Sequence, residues 1–202
     1  MSQADAGADA PLSESALERL RALLRSEGGL IATLVEPIAL VESRGHAAPG
    51  ADTASAANGQ SPADIAASGP RAAGRREEYE LLVEAIYEGY LLHYGVPRVV
   101  HVPEADLGLL AGDRLYAIGL ARLVAIGDTA AVAELADTIT LSALAQGAGS
   151  CQLADAVWEA GARAVGWGGS DAHARAKELV LAGAPDAIEA MRTSSAGATA
   201  TP

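Results

Sequence analysis

A chain of 202 residues has room for one ordinary domain plus flexible ends. Half of the residues are hydrophobic, yet only 3% are aromatic and Phe is absent, so the core must be aliphatic and Ala-rich, which suits close-packed helices better than a β-sandwich. The formal charge of −12, from 26 acidic and 14 basic side chains, argues against nucleic acid and anionic membrane surfaces as partners.

Cys151 is the single cysteine, which rules out an intramolecular disulfide and fits a reducing compartment. The first fifteen residues, MSQADAGADAPLSES, contain acids and no cationic or apolar targeting region, so a cytoplasmic protein is expected. Residues 1–14 are small and polar and are expected to be disordered. Ser15 and Glu18 have capping-box spacing, and Leu17, Leu20 and Leu24 then mark one face of a helix that Gly28 and Gly29 end. A second apolar segment, Leu30 to Val41, contains Pro37, which kinks or divides it. Together 15–42 read as an N-terminal helical hairpin.

From 45 to 74 the sequence is rich in Pro, Gly, Ser and Ala, with Ile65 its one large apolar residue, and is expected to be a low-complexity linker that loops out. The core domain is expected over 75–192. Tyr79, Leu82, Val83, Ile86 and Tyr90 define a helical stripe ending near Gly95, and Glu80, Glu84 and Glu88 line the other side as a solvated face. Val99 to Val102 is short and extended between two prolines.

The stretch Leu107 to Asp128 reads as an apolar core helix, and it is expected at the centre of the domain. Gly108, Gly112 and Gly119 fall near one another on it, at a cost of about 1 kcal/mol each against Ala, which points to close approach by another backbone or an apolar ligand. Asp113, Arg114 and Arg122 interrupt the run and argue against a membrane span. Asp113 is expected to pair locally, with Arg114 or a neighbouring Arg.

Asp128 is a good N-cap for the next helix, in which Val132, Leu135, Ile139 and Leu144 are candidate buried positions. A helix carrying Trp158 follows, then a GWGGS turn, a helix capped by Ser170, and a last one from Pro185 to about Arg192. The tail, 193–202, reads as disordered. The whole chain reads as all-α, an antiparallel helical bundle.

LLAGDRLYAIGLARLVAIGD resembles the LAGD-containing helix of the trans-isoprenyl diphosphate synthases, the polyprenyl synthase superfamily. YELLVEAIYEGYLLHYG is similar to the helix that ends in that family's first aspartate-rich motif, and DAHARAKELVLAGAPDAIEAMR more weakly to its closing helical pair. The resemblance covers most of 75–192 and implies a truncated isoprenoid-synthase fold. It also implies a gap in the chemistry. Tyr94 and Gly95 follow His93 where the family has its aspartates, no Asp-Asp pair occurs, and the central helices bearing the second motif are missing. Active members use such oxygen ligands to hold magnesium against a diphosphate. Arg98 is the nearest match to the family's diphosphate-binding cations. The pattern is closest to the non-catalytic small component of two-component synthases, such as the heptaprenyl diphosphate synthase regulatory subunit. The expected function is therefore that of a partner or regulatory subunit in isoprenoid chain elongation. A ligand-free helical scaffold and a cut-down prenyl transferase are the alternatives.

No catalytic residue, metal ligand or cofactor is assigned. His46, His93, His101 and His173 have no ligand spacing, Cys151 lacks an activating neighbour, and no Ser-His-Asp order is visible. Ile86 and Tyr90 occupy the turn that lines the family's hydrocarbon channel, so an apolar groove is expected there, with core packing as the alternative. Leu109, Tyr116, Leu120 and Leu123 are expected to face a second copy or a catalytic prenyl synthase, across an interface of about 2,000 Å² or more.

Overall fold

The structure is a computed structural model that describes residues 12–35 and 60–196. Among these residues every regular element is helical, apart from one isolated antiparallel bridge between Val35 and Val100. The helices are α1 (Leu12–Glu27), α2 (Gly29–Thr33), α3 (Pro62–Ser68), α4 (Arg76–Tyr94), α5 (Ala105–Ala125), α6 (Thr129–Gly147), α7 (Cys151–Trp167), α8 (Asp171–Leu181) and α9 (Ala187–Ala196). The fold is an all-α bundle, as the composition implies.

Local chemistry sets most of the boundaries. α1 stops at Gly28 and Gly29, both left-handed at φ 69° and 62°, a conformation that costs glycine nothing. The Asp128 carboxylate accepts from the N–H of Ala131 at 3.0 Å and so caps α6. Ser170 caps α8 through the N–H of His173 at 3.1 Å.

α4 and α5 pack antiparallel, Gly89 against Gly112 and Ile86 against Gly119. A methyl group at Gly112 would sit 3.0 Å from the Gly89 carbonyl, and one at Gly119 equally close to that of Leu82. The glycines of α5 therefore admit the α4 backbone, the first of the two alternatives their spacing suggested. α1 and α2 lie against this pair, with Leu20, Leu24 and Ile31 buried against Leu115 and Ile118. α6 and α7 form the second antiparallel pair. Trp158 of α7 joins it to α4, with its ring centroid 4.9 Å from that of Tyr87 and 5.2 Å from that of Tyr90. α8 and α9 close the far side through Val180 and Met191.

Several segments depart from what the sequence leads one to expect. Within the expected linker, 62–68 is helical and packed in the core, with Ala63 and Ala66 fully buried. Its signal is a capping box, in which Ser61 and Asp64 each bond the other's backbone N–H and Pro62 opens the helix. Alanine alone suffices there because α7 offers Gly166, whose backbone approaches Ala66 and Gly69 directly. Residues 193–196 of the expected disordered tail continue α9, with Ser194 and Ser195 buried. Leu144 is exposed, and Leu141 takes the buried place on α6. Residues 12–14 of the expected disordered start already belong to α1, so Ser15 lies inside that helix and not at its cap. The expectations for 1–11, 36–59 and 197–202 lie outside the described residues.

The larger correction concerns the centre. Ten residues of α4 are buried against seven of the longer α5, and α4 alone touches α1, α3, α5 and the Trp158 of α7. The LAGD helix is an edge helix.

Candidate functional site

Two features bear on function: the acids of α4 and the open face of α5. Glu80, Glu84 and Glu88 follow one another at i, i+4 and i+8 and so share one side of α4. That side is not solvated. Glu84 and Glu88 are fully buried, and Glu80 nearly so. Burial without partners would cost each carboxylate several kcal/mol, so each is compensated. Glu80 pairs with Arg19 of α1, and Glu84 with Arg98. Glu88 Oε1 accepts three successive backbone N–H groups, those of Arg98, Val99 and Val100, at 2.8, 2.7 and 3.2 Å. Arg98 Nε lies 3.5 Å from Glu88 Oε2, and the guanidinium stands over the Tyr87 ring.

Burial raises two of these acids above the usual carboxylate range. Burial pushes the Glu84 carboxyl up to about 7; Arg98 opposes this shift and Glu88 reinforces it. Burial also raises Glu80, with Arg19 pulling the other way. The ladder therefore fixes the connection between α4 and α5. Arg98 is held by protein acids, where the family resemblance suggested a diphosphate contact.

α5 presents the opposite situation. Asp106, Leu110, Asp113, Ala117, Ala121 and Val124 recur at spacings of three and four and are all exposed. Leu110 is 65% exposed, Val124 55% and Leu109 46%, large values for apolar side chains on one helix. Arg114 and Arg122 lie along one side of this face, both 3.1 Å from Glu27 of α1. Of the four residues expected at an interface, Leu109 is open to solvent and Tyr116 and Leu120 are half-buried. Leu123 is fully buried in the main core, which overturns its assignment to the outer face. Tyr116 stacks on His93, with ring planes 1° apart and centroids at 5.4 Å. The helical stripe was read about one residue out of phase, because Leu120 and Leu123 belong to the side that meets α4 and α6.

Ile86 and Tyr90 are both buried and filled around by protein. Ile86 reaches the Gly119 backbone, and Tyr90 sits among Tyr87, Tyr94 and Trp158 and accepts a hydrogen bond from Gln146 Nε2 at 2.6 Å. Neither lines the open cavity of about 750 Å³ at the start of α4, which is ringed by Arg19, Arg75, Arg76 and Arg122 over Leu81 and Ile126. Glu80 and Glu27 already neutralise two of those arginines.

Asp113 does not pair with Arg114. Its Oδ1 lies 3.2 Å from Nε2 of His93, in the last turn of α4. Cys151 is exposed at the start of α7. Among the described residues, no group of three or more His, Cys, Asp or Glu side chains is arranged to hold a metal ion. None of the described helices is long and apolar enough to cross a membrane.

One constellation was invisible in the sequence. Glu134, His173 and Ser194, from α6, α8 and α9, meet in a buried seam: His173 Nε2 is 2.6 Å from Glu134 Oε1, and its Nδ1 3.3 Å from Ser194 Oγ. The three lie in the order acid, histidine, serine across 60 residues, and no local spacing announces them. The Ser194 hydroxyl is buried and bonded to the Met191 carbonyl, which is the position of a structural tie between helices rather than that of a nucleophile. No family model matches this chain, and neither does any curated protein or solved structure.

Proposed function

We propose that this protein works by association, presenting the open face of α5 to a protein partner, and that the partner is a catalytic trans-prenyl diphosphate synthase. One observation carries the first half. Leu110, Ala117, Ala121 and Val124 form an exposed apolar stripe on an edge helix, interrupted by Asp113, and helices of monomeric domains normally turn such a stripe inward. The small residues in its middle let a partner helix approach closely, and Leu110 and Val124 supply the apolar area at either end. The second half rests on the sequence resemblance, in which the LAGD helix is kept and the metal-binding aspartates are replaced by Tyr94 and Gly95.

Self-association is the second reading, and the stripe itself favours it. Centred on Ala117, an antiparallel pair of α5 helices sets Leu110 of one copy opposite Val124 of the other. It also keeps Asp113 away from its own copy, which a parallel pair would not.

Co-expression with the prenyl synthase of the same genome, followed by affinity purification of the tagged full chain, tests the proposal. A stoichiometric complex that Leu110→Glu abolishes is the expected result. Recovery of this chain alone as a monomer would sink both readings, and recovery as a dimer alone would favour the second. The isolated chain is expected not to incorporate radiolabelled isopentenyl diphosphate with magnesium present, and incorporation would support the prenyl transferase alternative.

A further inference from the structure

Basic residues are scarce in this chain, 14 against 26 acids, yet four arginines converge on the open cavity at the start of α4. α1 supplies Arg19, α5 supplies Arg122, and Arg75 and Arg76 come from the entry to α4. Three of them are anchored at one end. Arg19 Nη2 bonds Glu80, Arg75 Nη1 donates to the Ile126 carbonyl at 3.2 Å, and Arg122 Nη2 donates to Glu27 at 3.1 Å. A guanidinium is a planar fork of five N–H donors, so the anchors of Arg75 and Arg122 orient each fork and leave most of it free.

The charge balance limits what the forks can hold. Glu27 serves Arg114 as well as Arg122, and Glu77 and Glu78 stand on the rim. With Arg114 included, five arginines face Glu27, Glu77, Glu78 and Glu80, an excess of one positive charge among the described residues. The floor is apolar, formed by Leu81, Leu82, Ala125 and Ile126. At about 750 Å³ the cavity lies within the range of small-molecule sites, roughly 300–1,000 Å³. Cationic forks above an apolar floor suit a ligand with one anionic end and an apolar body. We propose that this cavity binds a small amphiphilic carboxylate, its head in the arginine forks and its chain on Leu81, Leu82 and Ile126. A carboxylate meets an arginine fork with two parallel hydrogen bonds and brings the single charge that the balance favours. A phosphate monoester fits the forks as well, but its second charge would meet Glu77 and Glu78.

Isothermal titration calorimetry of the full chain with sodium decanoate, below its micelle concentration and at about pH 8, tests this. Saturable binding at one site per chain is expected. Arg75→Gln/Arg76→Gln should weaken it about tenfold or more and keep the helical circular dichroism, because both side chains are exposed. Decanol, with the same chain and no charge, should also bind about tenfold more weakly. Leu110 lies about 18 Å along α5 from Arg122. Leu110→Glu should therefore bind decanoate as the wild type does, which separates this site from the association face. Absence of saturable heat, decanol bound as tightly as decanoate, or a double variant that binds like the wild type would overturn the proposal. Tighter binding of decyl phosphate than of decanoate would overturn the choice of a singly charged head.

Discussion

α4 and α5 are neighbours of nearly equal length, and they invert the usual rule of helix placement. α4 carries three glutamates along one side and is nevertheless buried over ten of its residues; α5 is the more apolar and lies at the edge with one face open. Partners explain the difference. The acids of α4 find Arg19, Arg98 and three backbone N–H groups, so a charged stripe can be buried. The stripe on α5 finds no such cover among the described residues. Polarity alone does not decide what is inside; the availability of compensating groups does.

Removing the compensation on α4 should have the largest effect. Glu88→Ala orphans the N–H groups of Arg98, Val99 and Val100, and leaves the Arg98 guanidinium with Glu84 alone. A loss of about 3–5 kcal/mol in urea denaturation is expected, with partial unfolding of the 95–104 connection. Next comes the contact between the two helices. Gly119→Leu would press on Ile86 and on the Leu82 carbonyl, and backbone cannot yield as a side chain does. A cost of about 1–3 kcal/mol is expected.

Glu84→Gln sharpens the comparison through pH. Burial holds the folded-state carboxyl near 7 against a reference of 4.5, so the folded state binds this proton more tightly than the unfolded chain does. This group's contribution is therefore most favourable below 4.5 and declines as pH rises from there to about 7. The variant should lack that decline, seen as a flatter difference in unfolding free energy across the same window; an unchanged slope would show that Glu84 does not titrate there. On α5 the expected effect on stability is smallest. Leu110→Glu should change it by no more than about 0.5 kcal/mol, because the side chain is already in water.

The sequence carried the helices well and the environment of their faces poorly. Periodicity placed α4 to α7, the glycines of α5 announced its close contact, and Asp128 and Ser170 marked real caps. Glu80, Glu84 and Glu88 were misread because i, i+4 acids look alike whether they face water or an arginine. The arginines that decide the matter lie 61 residues upstream of Glu80 and 14 downstream of Glu84. α3 was missed for a different reason. Its composition is that of a linker, and alanine becomes a core residue only where a partner backbone comes as close as Gly166 does. The order of His173 and Ser194 about Glu134 depends wholly on tertiary packing.

The central claim is that the open face of α5 is the association surface. Sedimentation velocity on the full chain, alone and mixed with the catalytic prenyl synthase of the same genome, tests it against Leu110→Glu/Val124→Glu. The account predicts that the wild-type chain sediments as a complex or a dimer, and that the double variant keeps its helical circular dichroism but sediments as a monomer. A wild-type chain that stays monomeric in both settings, or a double variant that associates as strongly as the wild type, would contradict it.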